Sequence, residues 1–155
     1  MRGRWLFMVL VSLVAVPLAL GLTACGGSEE AAAVDTSDAT EIHAKLAESS
    51  AGEYTFTLDA DSAPAGTVLF EIENLGELPH EFEVIKTDVG VDDLPVEAGK
   101  ANAEAEGGEE IGEVEDIEPG DKTELAVELE AGSYLILCNL PGHYEQGMVL
   151  AFTVE

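Results

Sequence analysis

The sequence predicts an all-β fold, either a sandwich or a barrel. From residue 54 onward, apolar and polar residues alternate in several short runs, which is the pattern of half-buried β-strands. Turn-forming pairs such as Pro119-Gly120 and Ala131-Gly132 separate these runs. The length of 155 residues indicates one folded domain, and residues 51–155 suffice for a single core.

The predicted strands follow in order along the chain. Residues 54–58, 67–74 and 82–85 form the first three, with Glu81 and Glu83 on the opposite face of the third from Phe82. In residues 124–130, Leu and Val alternate with Glu, which predicts a fourth. Residues 134–138 and 149–154 form the last two.

A long acidic insertion, residues 87–120, interrupts this series. Structureless loops of this length are uncommon in compact domains. We therefore expect one or two helical turns within residues 95–105 and a short edge strand over residues 112–117. Pro119-Gly120 then turns the chain back.

The first 24 residues have the features of a bacterial lipoprotein signal peptide. Arg2 and Arg4 precede an apolar run of about 16 residues, shorter than the roughly 20 of a membrane-spanning helix. The run ends in Leu22-Thr23-Ala24-Cys25, which resembles a lipobox. We expect Cys25 to carry the lipid, so that the protein is extracytoplasmic and anchored to the cell membrane.

Residues 25–50 are rich in Ala, Glu, Asp and Ser, and we interpret them as an acidic, flexible tether. A short helix is possible over residues 39–48, although Ile42, Ala44 and Leu46 are too sparse to bury much. His43 lies in this stretch and is predicted to face solvent. The folded domain is accordingly expected to span residues 51–155.

The charge of the chain is strongly negative. Without the signal peptide, four Lys and Arg residues stand against 32 Asp and Glu, a formal charge of −28. Such a surface excludes nucleic acid and anionic headgroups as partners. It fits either a basic redox partner, such as a cytochrome, or adaptation to high salt.

Cys138 is the cysteine that remains once Cys25 carries lipid, and it is unpaired in a compartment that favours disulfides. It ends a predicted strand and is followed by His143 and by Met148, which begins the next strand. Thiolate, imidazole and thioether are soft or borderline donors that suit copper. A His2Cys set with a weak axial Met accommodates both copper oxidation states, which suits electron transfer.

Such a set requires a second histidine. The chain has three, His43, His80 and His143. His80 follows Gly76-Glu77-Leu78-Pro79 at the start of a predicted strand, so it is the expected fourth ligand.

With Cys138, His143 and Met148 in C-x4-H-x4-M spacing, residues 66–155 resemble the cupredoxin family of small blue (type 1) copper proteins. The spacing is similar to that of its auracyanin-, rusticyanin- and sulfocyanin-type members. The resemblance implies a Greek-key β-sandwich and one-electron shuttling. It also implies one copper ion with His80, Cys138 and His143 as equatorial ligands and Met148 as the axial one.

The residue after His80 departs from the family pattern. Many cupredoxins have Asn or Ser there, which ties the ligand loops together and donates toward the copper-bound sulfur. This chain has Glu81, which puts that hydrogen bonding in doubt. Asn139, after the cysteine, is a candidate for holding the loop.

Electron transfer also requires a surface through which a partner approaches. Five residues form the predicted apolar docking rim near His143. They are Leu78, Pro79, Leu140, Pro141 and Tyr144. The expected partners are redox proteins, such as a basic cytochrome, an oxidase or a reductase.

The sequence fits two other classes of function less well than an electron carrier. Copper oxidases and nitrite reductases need further clusters with several more histidines, and His43 is the single one left, so we expect no enzymatic activity. Copper delivery or storage favours several exposed Met donors, whereas the chain after the signal peptide keeps one, Met148. This last class remains the alternative.

Overall fold

The computed structural model describes residues 34–48 and 54–155, in which two β-sheets pack into a sandwich and a separate two-stranded hairpin lies in the insertion. The predicted all-β sandwich is thus confirmed. Short 3-10 helices occupy Glu104–Glu106 and Tyr144–Gln146. The strands are β1 (Thr40–Glu48), β2 (Tyr54–Leu58), β3 (Ser62–Ala63), β4 (Gly66–Asn74), β5 (His80–Lys86), β6 (Val96–Glu97), β7 (Lys100–Ala101), β8 (Glu109–Ile117), β9 (Lys122–Leu129), β10 (Gly132–Leu137) and β11 (Val149–Val154).

The first sheet has the order β2-β1-β4-β9 and the second the order β3-β11-β10-β5-β8. Strand β1 pairs antiparallel with β2 and parallel with β4. In the second sheet β10 lies between β5 and β11, antiparallel to both. The strand that precedes the predicted Cys138 ligand is therefore central, and those that begin with His80 and follow Met148 are its neighbours.

The main core lies between the sheets and follows the alternation of the strands. Val68, Phe70 and Ile72 of β4 face Phe82 and Val84 of β5, all at most 1% exposed. The rings of Phe70 and Phe82 lie 5.2 Å apart between their centroids. Aromatic pairs at this separation add to the burial of apolar area that holds the two sheets together.

A second apolar cluster lies on the outer face of β10, beneath the insertion. Leu135 and Leu137 pack there with Ile85 and with Leu94 and Ala101 of the insertion. Because Tyr134 and Ile136 face the main core, β10 is buried on both faces, which explains its nearly continuous apolar sequence. The insertion is part of the domain's packing.

The N-terminal boundary of the domain differs from the prediction. Residues 40–48 form β1, neither a helix nor a tether, and they begin the folded domain before residue 51. Ile42, Ala44 and Leu46 alternate with exposed residues and are at most 3% exposed in the main core. Their period of two was the signal for a strand, and the acidic composition around them concealed it. His43 faces outward, as predicted, with Nδ1 2.7 Å from Glu71.

The insertion contains strands where a helical segment was expected. Residues 95–105 hold the β6–β7 hairpin, with one 3-10 turn at its end. Ala98 and Gly99 have positive φ in its two-residue loop, the conformation that tight hairpins favour. The predicted edge strand over residues 112–117 is present as the longer β8, which pairs with β5.

The predicted signal peptide, residues 1–24, and Cys25 lie outside the described residues. Within the residues that the structure describes, no helix is long and apolar enough to cross a membrane.

Candidate metal centre

Three of the predicted ligands converge at one end of the sandwich. The potential donor atoms of His80, Cys138 and His143 lie within 4.8 Å of one another. Cys138 Sγ is 3.2 Å from His143 Nδ1 and 4.0 Å from His80 Nδ1. Two imidazoles therefore present the same ring nitrogen to one thiol.

Met148 is tied to this group through its backbone. The Cys138 N–H donates to the Met148 carbonyl at 3.1 Å, and the Met148 N–H donates to the His143 carbonyl at 3.0 Å. Met148 is fully buried in the same core cluster as Cys138. The loop between β10 and β11 thus brings three predicted ligands together by its own hydrogen bonds.

Turn chemistry in this loop sets the position of His143. The His143 N–H donates to the Leu140 carbonyl at 3.0 Å, which closes a turn with Pro141 and Gly142 at its centre. Gly142 has a φ of 88°, so Pro followed by Gly suits a type II turn. Gly147, with a φ of 89°, ends the following 3-10 turn and directs the chain into Met148.

His80 is presented by a loop that Asn74 organises. The fully buried Asn74 amide donates to the Leu78 and Ile117 carbonyls, each at 2.8 Å. Its side-chain oxygen accepts from Gly76 N–H at 2.9 Å. These bonds hold the segment that leads into His80, which is itself 0% exposed.

A backbone N–H supplies the hydrogen bond to the Cys138 sulfur that the presence of Glu81 after His80 had put in doubt. Glu81 N–H donates to Cys138 Sγ at 3.2 Å. Burial raises the pKa of the Cys138 thiol to about 11, although backbone hydrogen bonds from Glu81 and Leu140 lower it in part. The thiol is thus protonated near neutral pH, and a metal that binds the thiolate displaces that proton.

His143 lies toward the surface and is covered by Tyr54. The two ring centroids are 4.5 Å apart, and the Tyr54 ring also meets His80 edge-on at 6.2 Å. Burial, followed by the nearby His80, lowers the pKa of His143, so its neutral, ligating form is favoured.

Glu48, at the end of β1, is a further residue of the site that sequence reasoning missed. Its Oε2 lies 3.1 Å from His80 Nε2, the ring nitrogen that faces away from Cys138. Burial raises the pKa of Glu48, but hydrogen bonds from Glu77 N–H and His80 outweigh it, so the pKa lies below the ordinary value. The signal available in the sequence was the alternation of Ile42, Ala44 and Leu46, which predicts a strand. Glu48 lies at the end of that strand.

The insertion braces the ligand loop from outside. Asn139 accepts from Ala101 N–H at 2.8 Å and donates to the Ala101 carbonyl at 3.2 Å. Gly142 N–H donates to the Gly99 carbonyl at 2.7 Å, where a Cβ on Gly99 would lie 3.3 Å from the Gly142 nitrogen. The suggested loop-holding role of Asn139 therefore has a partner in the insertion.

Tyr144 does not belong to the predicted docking rim. It is 7% exposed and packs in the second apolar cluster, where its hydroxyl oxygen accepts from Leu94 N–H at 3.1 Å. The 3-10 turn directs this ring inward against the insertion. Leu78, Pro79 and Pro141 are exposed and Leu140 is half-buried.

The chemistry of this donor set fits one type 1 copper ion. Two neutral imidazoles and a thiolate, with a thioether nearby, match copper's preference for borderline and soft donors. Carboxylates from Glu48 and Glu83 lie outside the triad, so the set lacks the oxygen ligands that magnesium and calcium prefer. Among the described residues this is the one cluster of three His, Cys, Asp or Glu with metal-binding spacing.

Comparison with known proteins agrees with this geometry. The family model for the sulfocyanin (SoxE) domain matches residues 34–155. The match begins before β1, in agreement with the corrected boundary of the domain. No curated protein matches the chain.

Solved structures share the fold at low sequence identity. Dithionite-reduced auracyanin from Roseiflexus castenholzii is 20% identical with a TM-score of 0.54, covering 76% of this chain and 98% of its own. Rusticyanin from Thiobacillus ferrooxidans is 18% identical with a TM-score of 0.53, covering 75% and 78%. These similarities support the two-sheet sandwich.

Glu83 is a buried carboxyl between the ligand loop and the insertion, 8% exposed. Burial, followed by repulsion from Glu110, raises its pKa to about 7, against a hydrogen bond from Asn139 that lowers it. Glu113 and Glu81 also face it and raise the pKa further. Glu83 is therefore largely neutral in the folded protein below this pH.

We predict that Glu83 contributes a loss of stability to the metal-free protein as pH rises from about 4.5 to above 7. The unfolded chain releases the Glu83 proton near 4.5 and the folded one near 7, so folding becomes less favourable across that window. Glu83→Gln should remove this loss and stabilise the protein at about pH 8 by up to ~3 kcal/mol. Urea unfolding at both ends of the window measures the difference.

The matched control for Glu83→Gln is Glu124→Gln, which removes an exposed carboxylate from the other sheet. It should leave the pH dependence unchanged. If Glu83→Gln and wild type lost the same stability across the window, Glu83 would not hold its proton in the fold.

Proposed function

The chain belongs to the sulfocyanin (SoxE) domain family, and from this premise we propose that it shuttles single electrons between redox proteins outside the cytoplasmic membrane. It is a blue copper cupredoxin and not an enzyme. The observation that carries the proposal is the convergence of His80, Cys138 and His143 on one point.

The burial of the donors favours an electron carrier over copper delivery or storage. His80, Cys138 and Met148 are all 0% exposed, and His143 alone of the four is half-buried. Copper exchange needs donors that an incoming chelator can reach, whereas electron transfer needs a fixed donor set with one ligand edge near the surface. When bound, copper supplies the one-electron redox couple.

Each residue has a distinct role in this function. When copper is bound, the Cys138 thiolate and the two imidazoles would hold it, and Met148 would supply a further, weaker donor. The hydrogen bonds of the ligand loop and its insertion limit movement of the donors when the oxidation state changes. The half-buried His143 edge is the route by which the electron enters and leaves.

We predict that Cu(II)-loaded protein shows an intense visible thiolate-to-copper absorption band that bleaches with a mild reductant and returns on reoxidation. Cys138→Ser should abolish the band, because the serine oxygen cannot supply the thiolate donor. Absorption spectroscopy with stoichiometric Cu(II) measures both. A wild-type protein that bound Cu(II) without the band would contradict the type 1 assignment.

The proposed partner is a positively charged redox protein, such as a basic cytochrome. After the signal peptide this chain has four Lys and Arg residues against 32 Asp and Glu. Its negative charge would attract a basic partner over long range. Close approach would occur at Leu78, Pro79, Leu140 and Pro141, where few charges must be desolvated. Leu78 is 40% exposed on the loop that leads into His80.

We predict that Leu78→Ser slows electron transfer to a small basic cytochrome while the visible band and potential stay unchanged. Stopped-flow rates at increasing salt separate long-range charge steering from close apolar contact at the rim. Charge steering weakens with salt, because the screening length falls to about 8 Å at physiological salt. The slowing should therefore persist at high salt.

Val34→Ser is the control for this variant. Val34 is 39% exposed, similar to Leu78. It precedes β1 and lies in neither of the loops that bear a copper ligand. Equal electron-transfer rates for Leu78→Ser and Val34→Ser would show that the rim does not contribute to docking.

The proposed location is the outer face of the cell membrane, with lipid on Cys25. Arg2 and Arg4, the short apolar run and Leu22-Thr23-Ala24-Cys25 support it. A diacylglycerol on Cys25 carries two acyl chains, which would hold the carrier near membrane-bound partners, and the residues between Cys25 and β1 would act as a short spacer.

We predict that the full chain, expressed in a bacterium, fractionates with membranes and that Cys25→Ser releases it. Detergent partition and the mass of the N-terminal peptide measure the lipid directly. Recovery of an unmodified Cys25 in the soluble fraction would contradict the anchor. The optical band provides the control, since Cys25→Ser should leave it intact.

A further inference from the structure

The carboxylate of Glu48 meets His80 on the side opposite the metal-binding cluster. Glu48 Oε2 lies 3.1 Å from His80 Nε2, while His80 Nδ1 faces Cys138 Sγ at 4.0 Å. The His80 side chain is 0% exposed and that of Glu48 is 12% exposed. The contact is therefore largely shielded from water. A charged hydrogen bond in such a site is stronger than one at the surface.

The loop that leads into His80 is built around this carboxylate. Glu77 N–H donates to Glu48 Oε1, and Leu78 N–H also donates to the carboxylate. A Cβ on Gly76 would overlap Glu48 Oε2, so a larger residue at this position would displace the carboxylate. Glu48 is thus held by its surroundings, rather than reaching His80 as a mobile surface side chain.

The geometry has a consequence for which ring nitrogen of His80 carries the proton. A carboxylate accepts a hydrogen bond, so contact with Glu48 favours a proton on Nε2 and leaves the Nδ1 lone pair directed at the cluster. Acceptors of this kind also make an imidazole a stronger donor to a metal.

We propose that Glu48 is a positioning residue for the copper site: it fixes the tautomer and orientation of His80 and, through its negative charge, favours Cu(II) over Cu(I). The inference rests on the proposed function, because it concerns the same ligand set. Glu48 raises the affinity for the more highly charged ion and so lowers the reduction potential. Strand β1 thereby takes part in the metal centre without contributing a ligand.

Glu48→Gln tests the charge with little change in shape. Loss of such a partner commonly costs roughly 10- to 100-fold in metal affinity. We expect Cu(II) affinity to fall about 10-fold or more, Cu(I) affinity to change less, and the reduction potential to rise. Competition titrations for both ions and voltammetry measure these quantities.

Glu77→Gln is the matched control. It removes one carboxylate from the same loop, its side chain is exposed, and its backbone N–H to Glu48 is retained. If Glu77→Gln raised the potential as much as Glu48→Gln, the effect would be general charge loss, and the positioning role would be overturned.

A second measurement needs neither copper nor a variant. In metal-free wild-type protein labelled with ¹⁵N, at a pH where the ring is neutral, NMR should find the His80 proton on Nε2 and protected from exchange. A proton on Nδ1 would overturn the inference even if Glu48→Gln failed to fold.

These readouts also separate the inference from the proposed function. Wild-type protein without the thiolate-to-copper band would contradict the function, whereas the NMR result on the metal-free protein would still decide the role of Glu48. An intact band together with an unchanged potential in Glu48→Gln would contradict the positioning role alone.

Discussion

The metal centre depends on the hydrogen bond from Cys138 N–H to the Met148 carbonyl, which closes the loop between β10 and β11. This bond extends the pairing of two central strands by one step beyond their ends, and it places three of the four donors within one short loop. The sandwich supplies the rigidity, because β10 is buried on both faces and is paired on both edges. A donor set on such a support cannot relax freely when the charge of a bound ion changes, which is the condition for fast electron transfer.

Two segments outside the ligand loop complete the site from opposite sides. The insertion holds Asn139 and Gly142 through the backbone of Ala101 and Gly99. Strands β1 and β2, whose Glu48 and Tyr54 are paired across the strands, place a carboxylate on His80 and an aromatic ring on His143. The second sheet and its loops therefore carry all four donors, whereas the first sheet contacts the two imidazoles from the other side.

Sequence reasoning identified the ligands more readily than the residues that hold them. Cys138, His143 and Met148 are close along the chain, and scarcity of histidine leaves His80, so a local motif and a count predict the set. The role of β1 depends on parallel pairing with β4, more than 20 residues away, and nothing in residues 40–48 specifies that partner. The acidic composition of the region favoured a tether, although Ile42, Ala44 and Leu46 already alternated. Likewise, the inward direction of Tyr144 depends on the insertion that covers it, a contact that local sequence does not encode.

The distribution of charge around the site explains how a very acidic protein can tune a single buried ion. A divalent ion with one thiolate leaves one net positive charge at the centre, and the reduced ion leaves none, so a nearby buried carboxylate stabilises the oxidised state selectively. Most of the carboxylates are exposed and act through water, where their effect on a buried centre is weak. Glu83 is buried but keeps its proton up to about pH 7, and so contributes little charge below that pH. Glu48 is both shielded and ionised, which makes it the carboxylate whose charge the copper site experiences most directly.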